Sequence, residues 1–263
     1  MTHPADIEVL TDDELLRYAR QVLLDGWDLD AQLRLKSARV VMIGAGGLGC
    51  PASETLVRAG LGQVHLIDDD VIEASNLQRQ TLFLPDDIGK PKALTAAHML
   101  QQINPLIGAR GTVARLSEDN AYKLLDMASG KPDLLLDCTD NFATRDVINR
   151  ISVRYQIPLL SASAIAMQGQ LALFEPQLNT GCYYCVFGSL DADTEFDERT
   201  CANSGVLSST TAIMGSLQAN AALQYLGLTK NPLTNKLLIW DGSLMQQRLM
   251  GYRQDKQCPI CAV

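Results

Sequence analysis

Short apolar runs alternate with segments of helical periodicity through the first half of the chain. Thr11-Asp-Asp-Glu14 is a capping box, which predicts a helix over residues 11–24. Runs of β-branched and aliphatic residues predict strands, and the periodic segments between them predict helices. The predicted strands cover residues 38–43, 64–67, 134–138 and 158–161, and the later helices cover 50–59, 92–103 and 142–155. This alternation is typical of a doubly wound α/β fold with a mostly parallel sheet.

The pattern changes after residue 163. Strands are predicted at residues 168–174 and 236–240, and between them Thr200 to Thr229 contains no Asp, Glu, Lys or Arg. This stretch is long enough to cross a bilayer, but its many Ser, Thr, Asn and Gln residues are costly in hydrocarbon. We therefore expect a loop followed by a helix buried in protein. The two strands should extend the same sheet in antiparallel fashion, and residues 1–263 should form one domain.

Composition narrows the class of protein. The 263 residues are 47% hydrophobic and 20% charged, which excludes a disordered chain. A net charge of −8 argues against general binding to nucleic acid or to anionic membranes. The N-terminal residues carry early acids and no apolar signal segment, so we expect a cytoplasmic protein. In that compartment the seven cysteines are better explained as metal ligands or thiols than as disulfides.

A glycine-rich loop follows the first predicted strand. Gly44-x-Gly46-x-x-Gly49 joins that strand to a helix, and Asp68 follows the next strand, as in Rossmann-like nucleotide sites. The same glycines could instead form only a tight turn that binds no ligand. If the loop does bind a nucleotide, the usual class for this motif is an NAD-dependent oxidoreductase. The cations Arg79 and Lys92 favour ATP instead, because a triphosphate needs neutralisation that hydride transfer does not.

Four cysteines form two matched pairs, Cys182-x-x-Cys185 and Cys258-x-x-Cys261. Each pair can direct two thiolates at one ion, and two pairs complete the closed tetrahedral shell of a structural zinc site. A redox pair is the alternative for a single Cys-x-x-Cys motif.

The other three cysteines differ in setting. Cys50 and Cys138 lie in apolar surroundings that are typical of core residues. Cys201 lies in a polar segment near Arg199, where it is either a nucleophile or an incidental exposed thiol.

These motifs together resemble the MoeB/ThiF branch of the ubiquitin-activating enzyme superfamily. The resemblance runs from Leu16-Arg-Tyr-Ala-Arg-Gln21 to the second cysteine pair and includes GxGGLG, SNLQRQ, GKPK and LDCTDN. It implies an enzyme that uses ATP and Mg²⁺ to adenylate the C-terminal glycine of a ubiquitin-like sulfur-carrier protein ending in Gly-Gly. The fold it implies has an N-terminal helix (11–24), a nucleotide-binding part (38–163) and a C-terminal part with zinc (164–263).

The resemblance also implies roles for individual residues. Asp68 would hold the ribose, Asn76, Arg79 and Lys92 the phosphates, and Asp140 the Mg²⁺ with Asn141 beside it. Arg20 would reach into the site of a second subunit, which implies a homodimer. Cys201 matches a cysteine that takes part in sulfur transfer in some members. The nucleotide-binding set further includes Gly44, Gly46, Gly47, Gly49, Asp70, Ser75, Leu77 and Gln78.

Two carriers are compatible with the residues. Gly49-Cys50 and the segment around Gln170 slightly favour a MoaD-type carrier of molybdopterin synthesis, whereas Ser161-Ala-Ser-Ala164 points to a ThiS-type carrier of thiamine synthesis. The sulfur donor is expected to be a separate protein, either a cysteine desulfurase or a rhodanese-type protein. An NAD-dependent oxidoreductase and a scaffold without catalysis are the more distant alternatives.

Overall fold

The computed structural model describes residues 9–188 and 205–262, and it places eight strands in one sheet. The strands are β1 (Arg39–Ile43), β2 (Gln63–Ile67), β3 (Gly108–Thr112), β4 (Leu134–Asp137), β5 (Leu159–Ile165), β6 (Gln168–Phe174), β7 (Lys236–Asp241) and β8 (Gln246–Gly251). Their order across the sheet is β3-β2-β1-β4-β5-β6-β7-β8.

The sheet changes from parallel to antiparallel at β5. The pairs from β3 to β5 are parallel, and the pairs from β5 to β8 are antiparallel. The doubly wound mixed sheet with an antiparallel C-terminal extension is therefore confirmed. The register places Ile43 opposite both Ile67 and Asp137, so β1, β2 and β4 end side by side. The loops that follow these three strands meet at this edge of the sheet.

Helices cover both faces of the sheet. Their bounds are α1 (Asp12–Val22), α2 (Leu29–Ser37), α3 (Gly49–Ala59), α4 (Lys92–Ile103), α5 (Ala121–Leu124), α6 (Phe142–Tyr155), α7 (Tyr183–Phe187) and α8 (Ser208–Leu228). Helix α8 packs against α2, α3, β5 and β6 on one face, and α6 packs on the other. Alternate strand residues therefore point into two cores, with Met42 and Leu136 on the α8 face and Ile43 and Leu135 on the α6 face.

The helix in the uncharged segment packs within the protein, as expected. Helix α8 carries no charged side chain, and its buried positions include Thr210, Thr211 and Gln218. Among the described residues, no helix is long and apolar enough to cross a membrane.

Some elements differ from the sequence-based expectation. The structure adds α2, β3 and β8, which the apolar pattern did not indicate, and β5 continues to Ile165 instead of ending at residue 161. Strands β3 and β8 are the two edges of the sheet. Every residue of β8 is exposed, so its sequence has no buried face to produce an alternating pattern.

Candidate functional site

The glycine-rich loop is built by close backbone contacts at the edge where β1, β2 and β4 end. Gly44 has a φ of +96°, and a Cβ there would lie 2.8 Å from the carbonyl oxygen of Cys138. A Cβ on Gly49 would lie 2.2 Å from the carbonyl oxygen of Gly44. No side chain caps the N-terminus of α3 at Leu48. Among the described residues, the backbone amides of Gly47, Leu48 and Gly49 donate to no other group and can bind an anion such as phosphate, whereas the Cys50 amide donates to the Gly46 carbonyl.

Asp68 lies beside this loop. Its carboxylate accepts hydrogen bonds from the backbone amides of Ala45 at 2.7 Å and Asp70 at 2.8 Å. Burial raises the pKa of Asp68 above its usual value, although these two amides oppose the shift. The side chain is thus anchored at the end of β2 with carboxylate oxygen capacity left for hydroxyl groups of a ligand.

Two cations belong to the same edge. The Lys92 ammonium lies 2.7 Å from the Asp70 carboxylate, and Lys92 is only 7% exposed. The Arg79 guanidinium donates to the Ser75 carbonyl at 3.1 Å, and the Arg79 stem lies 3.3 Å from the position of a Cβ on Gly47. The structure therefore brings Arg79 against the glycine loop and pairs Lys92 with Asp70.

The other predicted residues of the SNLQRQ segment have mixed roles. Asn76 is buried and accepts a hydrogen bond from the backbone amide of Glu73 at 3.1 Å, so it holds the turn. Ser75 and Gln78 are exposed, and Leu77 packs against the core.

Gln80 was not singled out by the sequence analysis. It is 3% exposed, and its Oε1 has no hydrogen-bond partner among the described residues. Its Nε2 lies 3.5 Å from the position of a Cβ on Gly46. A buried acceptor without a donor is costly, so Gln80 leaves one uncompensated polar atom close to the glycine loop.

Asp140 and Asn141 follow β4 at the same edge. The Asp140 side chain is exposed. Asn141 caps α6, because its side-chain oxygen accepts from the backbone amide of Thr144 at 2.9 Å. An exposed carboxylate next to the glycine loop is a ligand type that Mg²⁺ prefers.

Arg20 lies away from these residues. It is an exposed residue near the end of α1. In the same helix, Gln21 donates to the carbonyl of Ala59 at 2.9 Å, which is the last residue of α3. The glycine loop is at the other end of α3, roughly 16 Å away for a helix of this length. The role of Arg20 in a neighbouring subunit therefore stays a prediction.

The four predicted metal-binding cysteines come together. The Sγ atom of Cys182 lies 3.9 Å from that of Cys185 and 3.7 Å from that of Cys258. The Sγ atoms of Cys185 and Cys261 are 3.4 Å apart. All four Sγ atoms lie within 4.8 Å of one another and could hold a metal ion.

Further groups support these sulfur atoms. The Asn149 amide donates to Cys182 Sγ at 3.6 Å, and the backbone amide of Asp255 donates to Cys185 Sγ at 3.4 Å. Such contacts orient thiolate ligands.

The remaining cysteines lie elsewhere. Burial raises the pKa of Cys50 to about 12 and raises that of Cys138 well above its usual value. Both are buried core residues, as the sequence indicated. Cys201 lies outside the described residues.

Comparison with known proteins gives one consistent result. Residues 18–260 match the model of the ThiF family. A protein of Escherichia coli K12 named sulfur carrier protein ThiS adenylyltransferase is 39% identical over 96% of this chain and 97% of its own. A Salmonella typhimurium LT2 protein named molybdopterin-synthase adenylyltransferase is 38% identical over 96% of this chain and 98% of its own. The crystal structure of E. coli MccB with ATP has a TM-score of 0.74 and 25% identity over 89% of this chain and 69% of that one.

Proposed function

This chain belongs to the ThiF family, and from that membership we propose that it is an adenylyltransferase acting on a ubiquitin-like sulfur-carrier protein. One observation carries the proposal: two relatives that match nearly the whole chain are both named as adenylyltransferases of this kind. The family resemblance drawn from the motifs is confirmed.

The glycine-loop edge supports ATP as the nucleotide. The amides of Gly47, Leu48 and Gly49 would offer hydrogen bonds to phosphate, and Asp68 would offer carboxylate oxygens to the ribose. MccB, which shares this fold, has been crystallised with ATP.

In the proposed reaction, the terminal glycine carboxylate of the carrier attacks the α-phosphorus of ATP. A new bond forms between a carboxylate oxygen and the α-phosphorus, and the bond to the β-phosphate oxygen breaks with release of pyrophosphate. No general base is needed, because the carboxylate is already ionised at neutral pH. The barrier is repulsion between two anions, so stabilisation must come from positive charge.

Three residues would help to neutralise the negative charge of the phosphates, two directly and one through Mg²⁺. Arg79 lies against Gly47 and would contact the phosphates, while Lys92 would leave Asp70 for a phosphate oxygen. Asp140 would hold Mg²⁺, which adds positive charge where the pyrophosphate leaves.

The cysteine cluster would hold zinc. With a Zn–S distance of about 2.3 Å, a tetrahedral site has sulfur atoms roughly 3.8 Å apart. Three of the Sγ–Sγ distances are 3.4 to 3.9 Å and all six are within 4.8 Å, which is close to that geometry. All four positions are filled by protein, so the zinc would be structural.

The proposal includes a cytoplasmic homodimer in which Arg20 completes the partner's site. Exposed leucines on and beside α1 support a covered surface there: Leu16 is 81% exposed and Leu23 is 76% exposed. Sulfur would come from a separate donor protein, either a cysteine desulfurase or a rhodanese-type protein.

Exchange of labelled pyrophosphate into ATP tests the function. Both a MoaD-type and a ThiS-type carrier should be used, because the two relatives are equally similar to this chain. We favour the MoaD-type carrier slightly. Exchange should depend on the carrier and disappear when its terminal glycine is removed. If no exchange is seen with either carrier, the proposal is contradicted.

Variants separate the roles within that assay. Asp140→Ala should abolish exchange, whereas Asp146→Ala, an exposed change on α6, should not. Cys201→Ala should keep exchange, because adenylation precedes any sulfur transfer. Exchange that survives Asp140→Ala, or is lost in a folded Cys201→Ala protein, would refute the assigned roles.

A further inference from the structure

The backbone that carries Asp140 is held from behind by Arg145. This residue lies in the first half of α6 and is 8% exposed. Its Nη2 donates to the carbonyl oxygen of Thr139 at 2.6 Å and to that of Ala162 at 3.3 Å. Thr139 immediately precedes Asp140, and Ala162 belongs to β5. Arg145 therefore ties the turn after β4 to the neighbouring strand.

Asp137 fixes the same turn from the other side. Its carboxylate is 1% exposed and accepts from the Thr139 amide at 3.0 Å and the Thr139 hydroxyl at 2.6 Å. Ser161 donates to the other carboxylate oxygen at 2.6 Å, and Arg145 Nε lies 3.5 Å from that oxygen. Gln218 of α8 donates to the Asp137 carbonyl at 2.9 Å. The turn is thus held by a buried network drawn from four elements.

Within this network Arg145 and Asp137 form a buried ion pair. A buried ion pair is often no more stabilising than apolar side chains of similar size, so stability alone gives a weak reason for it. Burial opposes the charge on Arg145, but Asp137 and, more weakly, Asp140 raise the pKa of Arg145. The contact of Arg145 with the Asp140 segment itself is the hydrogen bond to the Thr139 carbonyl.

A rigid turn has a chemical use if Asp140 binds Mg²⁺. This ion requires near-ideal octahedral geometry, and a ligand on a loose turn meets that requirement poorly. The side chain of Asp140 is exposed, so its placement depends on the backbone beneath it.

We propose that Arg145 is a positioning residue, which fixes the Thr139 carbonyl and thereby places the Asp140 carboxylate for a nucleotide-bound divalent cation. This inference rests on the proposed function, in which Asp140 holds Mg²⁺.

The test measures Mn²⁺ binding by electron paramagnetic resonance, with the ATP analogue that carries a methylene group between its α- and β-phosphorus atoms. Arg145→Met should raise the Mn²⁺ concentration for half-saturation at least about tenfold, as lost supporting contacts typically do. Arg145→Lys keeps the charge and should lie between wild type and Arg145→Met. Affinity for the analogue without metal should stay within about twofold, since Arg145 does not touch the glycine loop. Arg150→Met is the matched control, because Arg150 is an exposed residue of the same helix.

Folding must be separated from positioning. Arg145→Met leaves Asp137 buried without its cation, so the double variant Asp137→Asn/Arg145→Met removes both charges and should show the same weak Mn²⁺ binding. Equal losses of metal-free nucleotide affinity and Mn²⁺ affinity in all three variants would mean a purely structural role and overturn the proposal. So would Mn²⁺ binding that matches Arg150→Met.

Asp140→Asn identifies which assumption fails. It should lose Mn²⁺ binding, and Arg145→Lys should then cause no further loss in the double variant. If Asp140→Asn keeps Mn²⁺ binding, the metal assignment is wrong and this inference falls with it. The carrier-dependent exchange assay with the unaltered protein would still decide adenylation independently.

Discussion

Removal of zinc should loosen one part of the molecule and lower its overall stability. The perturbation is a strong chelator or the change Cys258→Ser, which replaces a ligand that is 2% exposed. The four Sγ atoms already lie within 4.8 Å of one another, so the folded chain presents all four ligands to one ion. When free zinc is about a thousandfold above its dissociation constant, binding stabilises the folded state by about 4 kcal/mol. For a chain of this size that corresponds to a melting temperature higher by roughly 8–16 °C.

Calorimetry with and without chelator measures the shift, and elemental analysis measures the metal. The transition should return on addition of zinc and not on addition of Mg²⁺. Hydrogen exchange should show loss of amide protection first in α7 and residues 252–262. In that region the ring centroids of Tyr252 and Phe174 are 5.6 Å apart, and Gln254 donates to the Cys261 carbonyl at 3.1 Å. Cys201→Ser is the control for loss of a thiol outside the cluster. An unchanged transition together with a zinc-free protein would refute the reasoning.

Two further predictions concern the glycine loop and pH. Gly49→Ala puts a Cβ 2.2 Å from a carbonyl oxygen, so urea unfolding should show a free energy of unfolding lower by about 1–3 kcal/mol. Gly46→Ala is the control, because the nearest atom to its added Cβ is 3.5 Å away. A loss for Gly49→Ala no larger than that for Gly46→Ala would contradict the clash. Burial and the charges of Arg110 and Arg39 lower the pKa of His65 to about 4. As the pH falls from 6.5 to 4, the unfolded chain therefore binds a proton that the folded chain does not, and the free energy of unfolding should drop by up to about 3 kcal/mol. His65→Gln should remove this part of the pH dependence.

Elements with a strong local pattern could be predicted to the residue. Helices α4 and α6 and strand β6 have the bounds that their sequences indicated, because each has a buried face and clear ends. Strand β3 contains Gly108, Arg110 and Gly111, and β8 is exposed throughout. Neither has the apolar alternation of a buried strand, since only pairing with a neighbour makes them strands.

The residues of the candidate site likewise include some that the sequence could predict and some that it could not. The glycines, Asp68 and the cysteine pairs follow spacings within short segments, and those spacings carry their chemistry. Gln80 and Arg145 were missed because their significance lies in contacts between distant segments. Arg145 depends on Ala162 in β5, and the same network includes Gln218, which is 81 residues from Asp137. No local pattern encodes such partners.

The two edge strands also differ in how well they resist aggregation. An open strand edge can pair with an edge of another molecule, and charged or glycine-rich edges resist this. Strand β3 has Arg110 and two glycines, whereas β8 has Arg248 beside Leu249 and Met250, which are 53% and 54% exposed. Of the two edges, β8 is therefore the one more open to pairing with a strand of another molecule.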